Sequence, residues 1–181
     1  MAKTDLTKKL ENRIYELTNE NTFGCFEVTI GWYGKERVDY LTYDHKGIWR
    51  CYEIKVSLSD FRSKAKKSFY GHYNYYVMPK ELFEVVKNEI PTHVGVCDGY
   101  RYLKRPKKQV LSIEEEVLKN SFIRSLARQS DKLMKSENPQ FVEHLNRQIN
   151  YEKKEKERYR RMYEELGNDI YKKFGRDWSE I

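Results

Sequence analysis

The chain has 181 residues, enough for one domain with a proper core plus an appendage and too few for two full enzymatic domains. Charged residues make up 35% and the formal net charge is +7, a balance that favours a polyanionic partner, the rival being a structural or interaction protein whose charge serves only solubility. No apolar stretch approaches the length of a membrane span and the first residues lack the apolar centre of a signal peptide, so a cytoplasmic protein without membrane contact is expected.

Residues 5–19 predict a first helix, with Leu6, Leu10, Ile14 and Leu17 on one stripe and Thr4 or Asp5 as its cap. Residues 23–33 predict a strand in which Glu27 is the one charge, either exposed or close to a cation. Next come two runs rich in Val, Ile, Tyr and Trp, separated by Asp44, His45, Lys46 and Gly47, the composition of a β-hairpin. With Gly47 left-handed, the three-residue loop pairs Asp44 with Ile48, and counting back sets Asp39 opposite Glu53. Alternation then places Asp39, Glu53 and Lys55 on one face.

Two neighbouring carboxylates repel unless a cation lies between them, and oxygen ligands suit a hard divalent ion such as Mg²⁺. A lysine beside them can orient water or stabilise charge building on a phosphate, so the three residues form a minimal site for metal-assisted phosphodiester hydrolysis. The same pattern also suits an ordinary cross-strand charge cluster on a half-solvated sheet.

After Lys55 the period changes: Ser57 and Asp60 resemble a capping box, and Phe61, Ala65 and Phe69 fall at helical spacing. The other side of this helix carries Arg62, Lys64, Lys66 and Lys67, a face suited to a DNA backbone or simply to solvent. Tyr73 to Met78 reads as a buried strand, residues 80–89 as a short helix with Leu82, Phe83, Val85 and Val86 inward, and residues 92–97 and 100–104 as further strands. A basic linker, 101–108, follows. From about Ser112 the pattern is wholly helical, interrupted at Pro139, with a long polar helix over 141–166 whose middle, Glu152 to Arg158, cannot be buried. A projecting arm fits this helix better than a coiled coil, since no sustained heptad is present. The terminal Ile170, Tyr171, Phe174 and Trp178 are expected to dock on the arm or on a second subunit, the one hint of a homodimer. The cysteines, Cys25, Cys51 and Cys97, are scattered and odd in number, which predicts reduced thiols and excludes a disulfide framework. The four histidines have no ligand spacing.

Arg37-Val38-Asp39, then Glu53-Ile54-Lys55-Val56-Ser57-Leu58-Ser59-Asp60-Phe61, then the aromatic strand Tyr73 to Met78 ending in Pro79, resemble the PD-(D/E)xK nuclease superfamily, in particular its MmcB-like endonuclease branch. Val38 stands where the name-giving pattern has Pro, and the resemblance covers residues 8–103 without reaching the C-terminal third.

The resemblance implies an α/β, restriction-endonuclease-like mixed sheet flanked by helices over residues 1–108, with residues 109–181 as a helical extension. It implies a Mg²⁺- or Mn²⁺-dependent DNA endonuclease, with Asp39, Glu53 and the Ile54 carbonyl on the metal and Lys55 activating water. Similar chains carry a glutamate near the metal on the first helix, here Glu11 or Glu16, and another on the first strand, here Glu27. Arg62, Lys64, Lys66 and Lys67 would hold the DNA. The rival expectation is a nuclease-fold binding module without turnover, working through its C-terminal arm.

Overall fold

The computed structural model describes residues 4–18, 21–34, 36–63 and 69–175. Along the chain these form α1 (Asp5–Glu16), β1 (Thr22–Thr29), β2 (Arg37–Asp44), β3 (Trp49–Ile54), α2 (Leu58–Phe61), β4 (Tyr73–Val77), α3 (Lys80–Val86), β5 (Gly95–Cys97), β6 (Tyr102–Lys104), α4 (Glu115–Glu137) and α5 (Pro139–Phe174). The fold is α/β: a six-stranded sheet in sequential order, antiparallel except where β4 runs parallel to both β3 and β5, flanked by helices, with a long C-terminal helix.

The central hairpin forms as its turn residues dictate. Gly47 has φ +76°, Gly47 N–H donates to the Asp44 carbonyl at 2.9 Å, and Asp44 N–H donates to the Ile48 carbonyl at 3.1 Å. Asp44 Oδ1 takes the N–H groups of Lys46 and Ile48, and Oδ2 holds Arg50 at 2.7 Å, so one carboxylate satisfies the loop.

On one face of the sheet, Leu10 and Ile14 of α1 pack on Tyr40, Ile54, Val77 and Cys97. On the other, Leu118 and Phe122 of α4 cover Val28, Trp49 and Cys51, while Phe61 and Val86 cover Tyr76 and Val96. All three cysteines are buried free thiols.

Several elements stop short of their expected bounds. Strand β1 ends at Thr29, because Gly31 turns left-handed at φ +73° and leaves Trp32 and Tyr33 exposed. The loop is held from α4: Gly31 N–H donates to Ser121 Oγ, and the Arg124 guanidinium donates to the Thr29 and Gly31 carbonyls while lying over the Trp32 ring. Helix α2 is described over Leu58–Phe61, the expected continuation around Ala65 lies outside the described residues, and Phe61 and Phe69 both reach the Tyr76 ring. In α3, Val85 is exposed; the inward stripe is Leu82, Phe83 and Val86.

The chain divides into two units, Met1–Gln129 and Ser130–Ile181, a boundary inside α4 and about twenty residues beyond the expected one at 108/109. The reason is packing: Leu118, Ser121, Phe122 and Ser125 are buried on the first unit's sheet side, which a reading of helical period alone cannot assign. In the second unit Asn138 caps α5, accepting from Gln140 and Phe141 N–H, with Pro139 as first helical residue. Pairs such as Glu143 with Arg147 and Arg160 with Glu164 line α5, and its middle is exposed apart from a half-buried Glu155. Ile170 and Tyr171 continue α5 partly exposed, whereas the Phe174 side chain and Trp178 lie outside the described residues. Among the described residues no helix is long and apolar enough to cross a membrane.

The packing of α4 can be checked directly. Phe122→Ala is expected to lower unfolding free energy by about 3–5 kcal/mol in urea titrations, because it opens a cavity beside Trp49. Leu133→Ala, at an exposed position of the same helix, is expected to change it by under about 0.5 kcal/mol.

Candidate functional site

The ladder between β2 and β3 runs to Tyr40 opposite Tyr52, and the same register continued sets Asp39 opposite Glu53. There the strands part. The Ile54 N–H is donated at 2.8 Å to Asp39 Oδ2, a side-chain acceptor where the ladder would otherwise supply a backbone one. On the other side Lys55 N–H donates to the Val77 carbonyl at 2.9 Å, so the chain beyond β3 stays tied to β4 while β2 leaves it.

Strand β1 bends at the same level. Glu27, bracketed by the pairs Phe26 with Tyr40 and Val28 with Val38, sits at φ +55°, the one non-glycine with positive φ among the described residues. The alternation of side chains turns over here. Cys25 and Val28, three apart, enter one cluster, as do Val38 and Leu41, whereas strict alternation would separate each pair.

These distortions open a cleft of about 180 Å³ lined by Thr7 and Glu11 of α1, Glu27, Arg37, Asp39, Ile54, Lys55 and Asp60. Lys55 is buried, with Nζ 3.5 Å from Asp60 Oδ1. Asp60 also takes the Val56 N–H on its other oxygen, while its own N–H caps back to Ser57 Oγ. Arg37 lies 3.8 Å from Glu27. Four carboxylates face two cations, a wall net negative by two.

Burial is the chief reason that the Asp39 carboxyl is held above the usual aspartate range; the Ile54 N–H, Lys55 and Arg37 pull it back down in part, and Asp60 raises it.

Asp39, Lys55, Ile54, Glu27 and Glu11 are thus brought together as expected of a site. Glu53 is not on the cleft wall. It is 4% exposed and neighbours Tyr76 in the parallel register with β4, and its charge, after burial, helps push the Tyr76 hydroxyl and the Cys51 thiol up. The expected convergence of all three residues fails at Glu53, since Asp39 and Lys55 line one cleft with Glu11 of α1 and Glu53 does not. Glu16 lies at the far end of α1, away from the cleft. Arg62 is engaged by Glu89 through two bonds of 2.6 and 3.2 Å, and Lys64, Lys66 and Lys67 lie outside the described residues. His72 has a local role, its Nδ1 accepting the Trp49 N–H.

Asp60 and Arg37 are the site residues that spacing alone undervalues. Asp60 reads as a helix cap, and nothing in the sequence says that the same carboxylate meets Lys55. Among the described residues no three His, Cys, Asp or Glu are gathered closely enough to hold a metal ion by themselves.

Two substitutions probe the geometry. The folded protein holds the Asp39 proton more tightly than the unfolded chain, so wild-type stability falls as pH rises from the ordinary aspartate value of 3.8 through the raised folded one. Asp39→Asn, which keeps an acceptor for Ile54 N–H, is therefore expected to match wild-type Tm at low pH and exceed it near neutrality in metal-free buffer; an equal Tm throughout contradicts the buried charge. Glu27→Gly is expected to raise stability by about 0.5–1 kcal/mol in chemical denaturation, since glycine adopts the left-handed conformation without strain.

No family model and no curated protein matches the chain. A solved structure from Silicibacter pomeroyi, described as a protein of unknown function, is similar to it at 17% identity with a TM-score of 0.58, covering 77% of this chain and 96% of that one. That similarity extends to the fold: a six-stranded mixed sheet flanked by helices.

Proposed function

We propose that the chain is a metal-dependent hydrolase of phosphodiester bonds in DNA, with a restriction-endonuclease-like arrangement of its sheet. The observation that carries this reading is the parting of β2 from β3, where Asp39 accepts the Ile54 N–H in a cleft that also holds the buried Lys55. Lys55 is buried at this cleft, where Asp60 offsets the cost of desolvating its charge, and a desolvated ammonium held beside carboxylates in a cleft is an arrangement typical of functional sites.

The donor set fits a hard divalent cation. It is all oxygen, its net charge is negative by two, and Mg²⁺ needs only one or two carboxylates because it keeps much of its own water. Asp39 would hold it, with the Ile54 carbonyl as a backbone ligand and Glu27 and Glu11 in the outer wall, and Glu53, which lies off that wall, would have to turn toward Asp39 to serve as the second carboxylate. Such an ion supplies Lewis acidity toward a phosphate oxygen.

Lys55 is placed to orient the attacking water and to stabilise the charge that grows on the phosphate, and its low-dielectric surroundings strengthen that effect. Asp60, 3.5 Å from Nζ, positions the ammonium. The net charge of +7 draws the polyanion despite the acidic cleft.

The test is cleavage of supercoiled plasmid and of single-stranded DNA with Mg²⁺ or Mn²⁺. Lys55→Ala and Asp39→Ala are each expected to lose activity about a hundredfold or more while remaining folded by circular dichroism. Comparing Glu53→Ala with Glu27→Ala identifies the second carboxylate, which is Glu53 if that variant alone matches Asp39→Ala. DNA binding without any turnover in the wild type would instead make the protein a binding module.

A further inference from the structure

A larger cleft, of about 420 Å³, lies on the same side of the sheet as α1, at the opposite end of that helix from the acidic cleft: Ile14, Leu17 and Thr18 line one, Thr7 and Glu11 the other. Its sheet wall is made by Thr42, Arg50, Tyr52 and Tyr73, with Tyr102 beside them. The register explains the grouping, since Thr42 pairs with Arg50 and Arg50 with Tyr73 across three adjacent strands.

Thr42 is 2% exposed, and among the described residues its hydroxyl has no hydrogen-bond partner. Buried hydroxyls are nearly always paired, so an orphan beside a cavity takes its partner from outside the protein, a water or a ligand atom. Beside it Arg50 is fixed, gripped by Asp44 at 2.7 Å and lying 5.8 Å over the Tyr73 ring. The rings of Tyr52, Tyr75 and Tyr102 are stacked in a row, with centroids 4.9 and 5.6 Å apart, and the row ends on Tyr102, which is 57% exposed. Lys46 stands exposed on the cleft's rim.

A hydrogen-bonding wall next to open aromatic faces, with a cation at the rim, is the chemistry that recognises a nucleotide: rings stack on the base, polar groups meet its edge, and the ammonium takes its phosphate. The volume falls within the range of small-ligand pockets. Thr42 lies three residues along β2 from Asp39, roughly 10 Å at strand rise. About three stacked nucleotides of one strand cover that distance.

We propose that this second cleft takes one unstacked base of a single DNA strand whose scissile phosphate lies at Asp39 and Lys55, Thr42 bonding the base edge and Tyr102 continuing the stack. The assignment rests on the hydrolase reading for its substrate and makes that substrate single-stranded at this point.

Binding of single-stranded oligonucleotides carrying one 2-aminopurine, and of the same sequence as duplex, is measured in EDTA so that turnover plays no part. Thr42→Val is expected to weaken single-strand binding about tenfold, the loss of one buried hydrogen bond, with duplex binding unchanged. The same variant is expected to raise Tm, because it removes an unpaired hydroxyl from the core, and Thr42→Ser is expected to retain single-strand affinity. Tyr102→Ala is expected to abolish the 2-aminopurine fluorescence change. Unchanged single-strand affinity in Thr42→Val, or equal weakening toward single strand and duplex, overturns the proposal. Its fate is separable from that of the hydrolase reading: binding that depends on Thr42 without any cleavage sinks only the hydrolase, and cleavage indifferent to Thr42 sinks only this cleft.

Discussion

The hydrogen bond from Ile54 N–H to the Asp39 carboxylate holds the site together. It stands where two antiparallel strands separate, and separation normally leaves backbone donors without partners. By taking that donor, the Asp39 side chain lets β2 leave β3 without a buried orphan, and a bond to an ionised acceptor contributes about 1.5–3 kcal/mol against the cost of burying the charge. The next residue, Lys55, is fixed from the other side by the Val77 carbonyl. A carboxylate and an ammonium are thereby held on either side of one peptide, in a cleft the sheet itself opens.

Three features of this region work against stability. Asp39 is desolvated enough to hold its proton above the usual range, Glu27 sits in a left-handed conformation that favours glycine, and Thr42 buries a hydroxyl that bonds nothing among the described residues. Each is of the kind that clusters where a fold serves chemistry and is compensated elsewhere. The compensation is visible on the opposite face, where α4 lays Phe122 edge-on against Trp49 and Arg124 secures the end of β1. The side that carries the two clefts is comparatively open, and α1 is the helix that lines both.

The two clefts differ in a way that suits a strand passing from one to the other. One is small, acidic and holds a buried lysine; the other is larger, rich in tyrosine and hydroxyls, with its arginine fixed by Asp44. The proposed hydrolysis uses the first and the proposed base contact the second, and strand β2 contributes Asp39 to one and Thr42 and Asp44 to the other.

What was legible in the sequence was local. The turn at Gly47, the pairing of Asp44 with Ile48, the Ser57 cap and the strands around Glu53 and Tyr76 follow from residue types whose conformational preferences act over a few positions. The hairpin register that the turn dictates runs as far as Tyr40 opposite Tyr52. Counting by twos could not foresee that Glu27 turns the alternation over. Alternation breaks on β1 at Glu27 and again on β2 between Val38 and Leu41, and Asp39 lines a cleft with Glu11 of α1 that Glu53 does not share. Nor could periodicity place the first half of α4 on the sheet, since a helix of period 3.6 has the same pattern whichever apolar surface it covers. Asp60 beside Lys55, and Thr42 beside Arg50 and Tyr73, are neighbours across separate elements, and only the tertiary packing of those elements decides such contacts.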